Sequence, residues 1–353
     1  MINVTKTFLP PQEEYQAILQ RAWDKVWMTN RGELVLELEE KVQAYLQSVP
    51  LIAMTNGTLP LQIAIKALGV QGEIITTPFS YVATVSSIVW EGCTPVFVDI
   101  HPDYLTIDES LIEAAITPNT IAILATHVFG NPCAVEEIEH IAKKHGLKVI
   151  YDAAHAFGVT YKGQSLFNYG DVSTCSFHAT KLFHTGEGGA AFCKDDALRN
   201  QLFFHHNFGH KGREDFQGLG INGKMSELQA AMGLAVLPYI DSIKQSRKNA
   251  VDFYERHLPQ FTTLKIREGT QWNYAYFPII FDTETALLAA QQRLNAQGIF
   301  PRRYFFPSLN TLPYIVHTEM PISESISKRI LCLPLSHDIS EAEQGIVIKM
   351  LAR

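Results

Sequence analysis

The sequence predicts an α/β protein whose large domain is built on a mostly parallel sheet and is followed by a smaller α/β domain. Between residues 73 and 152, short apolar segments alternate regularly with segments whose apolar residues recur at helical spacing. Such alternation is typical of a parallel sheet covered by helices on both faces. The length of 353 residues suits two domains, and the hydrophobic (46%) and charged (18%) fractions are those of an ordinary globular protein.

The boundary between the two domains is expected at residue 235, giving a large domain of residues 1–235 and a small one of 236–353. Residues 225–257 have helical periodicity that is broken only at Pro238, so they are suited to joining two domains. In the small domain we predict a strand at 272–281, a helix at 283–297 and a strand at 330–334.

The large domain is expected to begin with an arm that carries one helix within residues 1–30, followed by an amphipathic helix at 33–46. Strands are predicted at 51–55, 73–77, 94–99, 121–126, 148–152 and 172–174, with helices at 61–68, 80–90, 108–115 and 135–145. A helix at 195–206 and a loop at 207–220 complete this part.

Charge and composition argue against several classes of function. The 29 basic and 36 acidic residues give a net charge of −7 without a dense basic run, so a nucleic-acid partner is not expected. The sequence has neither a signal-peptide pattern nor an apolar run long enough for a bilayer, so we expect a cytoplasmic location and no membrane partner. Five cysteines without a Cys-x-x-Cys pair read as reduced thiols.

A metal site is not expected either. His205, His206 and His210 form a cluster, but adjacent histidines point apart on a helix and no ligand spacing is completed around them.

The carboxyl ends of the predicted strands carry Thr58, Tyr81, His127 and Asp152. Because the ends of parallel strands meet at one edge of a sheet, we expect these groups to face one crevice. Asp152 directly follows a buried strand and needs a cationic partner, for which a protonated pyridine nitrogen would serve. The alternative is that Asp152 caps the next turn, and His155 could likewise face the ligand or cap a turn.

A second candidate site is the turn Asn56-Gly57-Thr58, which lies between a strand and a helix. Free N–H groups at the start of a helix, together with the helix dipole, bind anions, so a phosphate could lie on Gly57, Thr58 and Leu59. The alternative is a plain connection that binds nothing.

Lys181 is the third candidate, because it follows a β-branched strand and precedes glycines at 186, 188 and 189. An ammonium near a core strand is costly unless it is paired or converted into a Schiff base with an aldehyde cofactor. The alternative is a solvated lysine in a polar turn.

Together, the three sites supply what pyridoxal phosphate (PLP) requires: Lys181 for the Schiff base and proton transfer, Asp152 for the ring nitrogen, Gly57, Thr58 and Ser176 for the phosphate, and Tyr81 for stacking.

The motifs that carry these residues resemble those of the DegT/StrS-type sugar aminotransferases. They are Ser176-Phe-His-Ala-Thr-Lys181 with Gly186-Glu-Gly-Gly189, Asp152-Ala-Ala-His155, residues 77–84, residues 127–130 and residues 220–231. The resemblance implies a type I, aspartate aminotransferase-like fold, a homodimer with active sites at the subunit interface, and L-glutamate as amino donor. It also implies that the acceptor is a nucleotide-linked 4-keto-6-deoxyhexose, with dTDP as the expected nucleotide, and that the amino sugar serves surface polysaccharide or glycan synthesis.

By position, the resemblance assigns Lys181 to the Schiff base, Asp152 to the pyridine, Ser176, Gly57 and Thr58 to the phosphate, and Tyr81 to stacking. It assigns Asn222 or Lys224 to the phosphate of the other subunit, and it suggests His184, Lys224, Arg302, Arg303 and Tyr304 as substrate contacts. Two positions depart from the family pattern: His155 stands where glutamine is common, and Gly223-Lys224 stand where Tyr-Arg is common.

Alternative functions differ from this one in the residue at position 181, in turnover or in the carbon that is aminated. A dehydratase of the same fold has histidine in place of the Schiff-base lysine, so Lys181 argues against it. A PLP-binding regulator without turnover, and amination at C3 instead of C4, remain open from the sequence.

Overall fold

The structure is a computed structural model in which residues 1–69 and 71–351 are described. The helices are α1 (Gln12–Asp24), α2 (Glu33–Leu46), α3 (Leu59–Ala67), α4 (Val82–Trp90), α5 (Glu109–Ile112), α6 (Val135–His145), α7 (Asp196–His206), α8 (Glu227–Val236), α9 (Ile240–His257), α10 (Glu284–Ala296), α11 (Pro321–Arg329) and α12 (Glu341–Leu351). The strands are β1 (Ile2–Asn3), β2 (Leu51–Met54), β3 (Glu73–Thr76), β4 (Thr94–Phe97), β5 (Thr120–Thr126), β6 (Lys148–Asp152), β7 (Thr160–Tyr161), β8 (Gln164–Ser165), β9 (Val172–Ser176), β10 (Gly189–Phe192), β11 (Thr262–Thr263), β12 (Thr270–Gln271), β13 (Phe277–Ile280), β14 (Ile299–Phe300) and β15 (Ile330–Leu333).

A seven-stranded sheet forms the centre of the large domain, in the order β2-β10-β9-β6-β5-β3-β4. The pairs β3/β4, β3/β5, β5/β6 and β6/β9 are parallel, whereas β10 runs antiparallel to both β9 and β2. The predicted mostly parallel sheet is thus confirmed. Its single reversed strand, β10, was missed because Gly-Ala-Ala-Phe has almost no β-branched character.

Both faces of the sheet are buried, because successive residues of each strand point to opposite sides. Ile75, Ile123 and Tyr151 belong to an apolar core on one face, and their neighbours Ile74, Leu124 and Ile150 belong to the core on the other. The continuous apolar runs of these strands follow from this two-sided burial.

The observed helix ends match the predicted ones where charged residues and a glycine mark the ends of a helix. In α6, Glu136 and Glu137 occupy the first turn, Lys143 and Lys144 the last, and Gly146 follows in the left-handed conformation (φ 68°). Both charge groups complement the helix dipole, and a glycine tolerates that backbone angle.

The small domain contains the sheet β11-β13-β15, whose strands are antiparallel, packed with α10 and α12. The long strand predicted at 272–281 is wrong: only Phe277–Ile280 is extended in this sheet, and Tyr274 has a left-handed φ of 55°. The first residues of the chain join this part as well, since Ile2 pairs with Ile299.

Helix α9 is shared by two apolar cores. Ile240 and Ile243 near its start pack in the core of the large domain, whereas Ala250, Val251 and Tyr254 pack in that of the small domain. The division at residue 235 therefore remains a proposal, with α9 as the shared element. In the described residues no helix is long and apolar enough to cross a membrane, and no cluster of metal-ligating side chains is found.

Candidate active site

The candidate site lies where β6 and β9, which are adjacent and parallel, both end. Strand β6 ends at Asp152 and β9 ends at Ser176, five residues before Lys181. The parallel pairing brings together segments that are far apart in sequence.

Asp152 is buried and hydrogen-bonded to its own domain. Its Oδ2 accepts a hydrogen bond from the Thr84 hydroxyl at 2.6 Å, and its Oδ1 accepts one from the Ala154 N–H at 3.2 Å. Burial raises the pKa of this carboxyl group, while the Thr84 and Ala154 hydrogen bonds and the nearby Lys181 oppose the shift. The turn-capping alternative is thus correct for one oxygen. The other oxygen is fixed by a hydroxyl of α4 that the sequence did not single out.

Thr84 is itself held by further hydroxyl groups. Its Oγ1 lies 2.7 Å from the Ser80 Oγ, which accepts a hydrogen bond from the Thr126 hydroxyl at 3.1 Å. This buried chain fixes the direction in which Thr84 donates, and with it the orientation of the Asp152 carboxylate.

Lys181 lies in a tightly turned loop. The Phe177 N–H donates to the Gly188 carbonyl at 2.8 Å and the Ala179 N–H to the Gly186 carbonyl at 2.7 Å, with Gly186 at φ 80°. The Lys181 side chain is half-buried, and its Nζ lies 3.4 Å from the Tyr276 hydroxyl. Burial lowers the pKa of the amine, and Asp152 opposes the shift. Such a lysine differs from the solvated surface lysine that was the alternative.

The predicted phosphate loop lies directly against Ser176. A Cβ on Gly57 would lie 2.5 Å from the Ser176 Cβ and 3.0 Å from its Cα, so only glycine allows this approach. The Thr58 and Leu59 N–H groups both donate to Asn56 Oδ1 at 2.9 Å. A phosphate could bind these two groups only by displacing the Asn56 side chain, so the expectation for Leu59 and Thr58 is weakened and Gly57 with Ser176 carries the site.

His155 is buried between aromatic rings of both domains. Its Nδ1 accepts a hydrogen bond from the Phe129 N–H at 3.1 Å, and its ring is parallel to Phe305 (5.5 Å between centroids, 1°). Tyr276 packs edge-on against it at 4.8 Å. Burial lowers the pKa of His155 well below its usual value, so the ring is neutral and its proton is on Nε2.

Two histidines expected near the ligand are engaged elsewhere. His127 is fully buried, accepts the Cys133 N–H at Nδ1 and stacks on Tyr151, so it does not face the crevice. His184 is 1% exposed; its Nδ1 accepts the Gly186 N–H and its Nε2 donates to the Phe8 carbonyl. Both nitrogens of His184 thus hold the backbone, and its assignment to the substrate stays a prediction.

The candidates of the small domain separate into two groups. Tyr304 packs edge-on against Tyr276 (5.6 Å, 90°), next to Lys181, and the exposed Arg302 lies 5.7 Å from the Tyr304 ring centroid. Arg303 instead donates to Glu284 and to the Lys328 carbonyl, and its guanidinium stacks on Phe306 at 3.7 Å. One nitrogen of Arg303 is thus engaged within the small domain, and its assignment to the substrate stays a prediction.

Lys224 lines a different cavity, and Asn222 contacts Lys224. Lys224 donates to the Asn222 side chain at 2.7 Å and lies 4.7 Å from the centroid of the Phe208 ring. The cavity, of about 250 Å³, is also lined by Arg31, His206 and His210. Burial lowers the pKa of Lys224. The role of both residues at the phosphate of a second subunit stays a prediction.

Tyr81, at the start of α4, is 59% exposed.

The α/β fold, with Asp152 and Lys181 at the carboxyl ends of its central strands, is that of an aminotransferase of the type I class. A family model described as the DegT/DnrJ/EryC1/StrS aminotransferase family matches residues 11–352, and the chain belongs to this family. The resemblance predicted from the motifs is confirmed.

The chain is similar to characterised relatives over almost its whole length. It is 41% identical over 348 residues to dTDP-4-amino-4,6-dideoxy-D-glucose transaminase of Shigella dysenteriae, covering 96% of this chain and 95% of the relative. It is 38% identical over 370 residues to the Escherichia coli protein of the same name, covering 99% and 96%. The crystal structure of DesI, determined in the presence of its TDP-sugar product, superposes with a TM-score of 0.94 at 32% identity, covering 99% of this chain and 92% of DesI. The type I fold is thereby confirmed.

Proposed function

We propose that the protein is a PLP-dependent aminotransferase that moves an amino group from L-glutamate to a dTDP-linked 4-keto-6-deoxyhexose. The product would be the corresponding 4-amino-4,6-dideoxy sugar. The observation that carries the proposal is the half-buried Lys181 amine, which has a lowered pKa and lies beside the buried Asp152 at the carboxyl edge of the sheet. The names of the two most similar relatives reported above support the acceptor and the C4 position.

The residues at this edge are suited to hold PLP. Gly57 lies against Ser176, where a Cβ on residue 57 would come within 2.5 Å of the Ser176 Cβ, and the Ser176 hydroxyl would donate a hydrogen bond to the phosphate. The Thr58 and Leu59 N–H groups at the start of α3 would join it once the phosphate displaces the Asn56 side chain. The buried Asp152 carboxylate offers a negative charge to a protonated ring nitrogen. When bound, PLP supplies the electron sink through which the amino group passes between donor and acceptor.

The protein's own groups would position the reactants and move protons. Because burial lowers the pKa of Lys181, a larger fraction of its amine is neutral and nucleophilic at physiological pH than in an exposed lysine. The same Nζ can then take up and return the proton that moves during transamination. Neutral His155 offers its Nε2–H as a hydrogen-bond donor, and the exposed Tyr81 ring is available for stacking.

The proposal includes a homodimer with shared active sites and a cytoplasmic location. Exposed aromatic side chains support the dimer: Trp23 and Trp27 at α1 are 54% and 52% exposed. Trp27 and Leu36 line a groove of about 810 Å³ between α1 and α2, together with charged side chains such as Lys25, Glu37 and Glu40. A second copy would cover this groove through both apolar and charged contacts. Asn222 and Lys224 would reach the phosphate of the other subunit.

The experiment uses purified protein with PLP, L-glutamate and a dTDP-4-keto-6-deoxyhexose. We expect 2-oxoglutarate and a 4-amino sugar, and NMR of the product distinguishes amination at C4 from amination at C3. Borohydride should fix a pyridoxyl group on Lys181, as found by peptide mass. Lys181→Ala should abolish both results, whereas the control Lys143→Ala, at a side chain that is 74% exposed, should leave them unchanged. PLP binding without 2-oxoglutarate or amino sugar would instead favour the regulator.

A further inference from the structure

A tyrosine of the small domain contacts the lysine on which the proposed function rests. Tyr276 directly precedes β13 and is 6% exposed. Its hydroxyl oxygen lies 3.4 Å from Lys181 Nζ, and the amine lies 6.0 Å from the centroid of its ring. The two residues are 95 positions apart in sequence, so the contact exists only in the folded two-domain chain.

The Tyr276 ring is held on several sides. It packs against His155 at 4.8 Å, against Tyr304 at 5.6 Å and against Phe129 at 5.6 Å between centroids. The backbone next to it is fixed as well, because the Ala275 carbonyl accepts a hydrogen bond from the buried Arg247 guanidinium at 3.0 Å. A ring held in this way keeps its hydroxyl directed at the amine.

The hydroxyl is chemically suited to both forms of the amine. Burial raises the pKa of Tyr276, so the phenol stays neutral at physiological pH. A neutral phenol accepts a hydrogen bond from an ammonium group and donates one to a neutral amine. It can therefore contact Lys181 before and after a proton moves.

We propose that Tyr276 is a positioning residue for the reaction: its hydroxyl holds the Lys181 amine in place whenever that amine is not covalently engaged. The inference rests on the proposed function, in which the free Lys181 amine carries a proton. A lysine has four freely rotating side-chain bonds, and a fixed hydrogen-bond partner reduces the orientations that must be lost before each transfer. Tyr276 keeps its own proton throughout.

The test separates the hydroxyl from the ring, because Tyr276→Phe keeps the aromatic contacts and removes only the oxygen. The control is Tyr314→Phe, since Tyr314 is 48% exposed. We expect Tyr276→Phe still to give the pyridoxyl tag on Lys181 after borohydride. In a single turnover with L-glutamate we expect it to be slower by about tenfold or more, a fraction of what complete removal of an acid–base group costs.

A second readout does not depend on turnover. The rate at which the cofactor-free protein combines with PLP, followed by absorbance against pH, reports the pH at which the Lys181 amine loses its proton. The Tyr276 hydroxyl contacts both forms of the amine, but its hydrogen bond with the charged form is the stronger because it is charge-assisted, so its removal should move this midpoint to lower pH. Replacing Tyr276 by 3-fluorotyrosine, which keeps the ring and a weaker acceptor oxygen, should give a midpoint between the two.

The outcomes distinguish the two proposals. If the wild-type protein takes no pyridoxyl tag at Lys181, the proposed function fails. If the tag forms but Tyr276→Phe has the single-turnover rate and the midpoint of the wild type, only the role of Tyr276 is overturned. If Tyr276→Phe does not fold, the 3-fluorotyrosine protein decides, and a midpoint equal to that of the wild type overturns the inference.

Discussion

A carboxylate buried as deeply as Asp152 destabilises the cofactor-free protein in its charged form, because burial raises its pKa above the value in the unfolded chain. Between these two pKa values the folded protein binds more protons than the unfolded chain. The free energy of unfolding contributed by this group therefore falls as the pH rises through that window, and it stays low at higher pH.

Asp152→Asn should remove this dependence. Relative to the wild type, the cofactor-free variant should gain stability as the pH rises from about 4 to 8, measured by urea unfolding at several pH values. Its transaminase activity should fall by about a hundredfold or more, since an amide cannot balance a protonated ring nitrogen. The control Asp196→Asn, at a side chain that is 82% exposed, should change neither. Equal pH profiles for wild type and Asp152→Asn would contradict the argument.

Replacing Gly57 by alanine adds a single methyl group to the predicted phosphate loop. In Gly57→Ala the new Cβ must displace Ser176, including its backbone, so affinity for PLP should fall by about tenfold or more, measured by fluorescence titration. Gly345→Ala is the matched control. Nothing lies within 4 Å of a Cβ there and the residue is inside α12, so alanine should stabilise the protein by about 1 kcal/mol without affecting PLP. Unchanged PLP affinity in Gly57→Ala would place the phosphate elsewhere.

At the level of elements, the sequence predicts best where local signals agree with the fold. The helices 33–46 and 135–145 and the strand 148–152 have the bounds that periodicity and end signals indicate. Helix α11 was missed, since its helical start at Pro321 follows a loop and its cap comes from another part of the chain. That cap is Asp99, which accepts the N–H groups of Ile322 at 2.8 Å and Ser323 at 2.9 Å.

Asp99 therefore fixes the segment that carries Tyr304 to the large domain. The same segment is held by the Leu309 N–H, which donates to the Pro78 carbonyl at 2.8 Å, and by the Ser308 and Ser323 hydroxyls at 2.7 Å from each other. Asp99→Ala leaves one buried and one partly buried donor without their acceptor, so it should cost about 2–3 kcal/mol of unfolding free energy. Limited proteolysis should also cut residues 304–320 faster.

The matched control is Asp108→Ala, which removes the exposed cap at the start of the short helix α5. It should cost less than about 1 kcal/mol, because water replaces the lost acceptor. Equal losses in the two variants, measured by urea unfolding, would mean that Asp99 is an ordinary surface cap.

For the molecule as a whole, the sequence predicted the placement of those candidate site residues that lie in one motif or at the end of one strand, such as Lys181 and Asp152. It could not predict partners that come from distant segments. Thr84 reaches Asp152 from 68 residues away, and Tyr276 reaches Lys181 from 95 residues away. The contacts of His184 and Arg303 could not be predicted for the same reason, because the Phe8 carbonyl and Glu284, which engage them, are brought there only by the tertiary fold.

In the proposed homodimer a second copy would cover the groove between α1 and α2. Leu36 lines this groove and is 46% exposed, and Leu288 on α10 is exposed to the same extent outside it. If a second copy covers the groove, Leu36→Glu removes an apolar contact and adds a negative charge to a groove already lined by Glu33, Glu37 and Glu40. It should therefore dissociate the dimer, whereas Leu288→Glu should not. Sedimentation should give twice the chain mass of 39.6 kDa for the wild type and Leu288→Glu, and the single mass for Leu36→Glu.

Because Asn222 and Lys224 would complete the site of the other subunit, the monomeric variant should also lose PLP on dilution. A dimeric Leu36→Glu protein with full activity would show that the subunits meet through another surface.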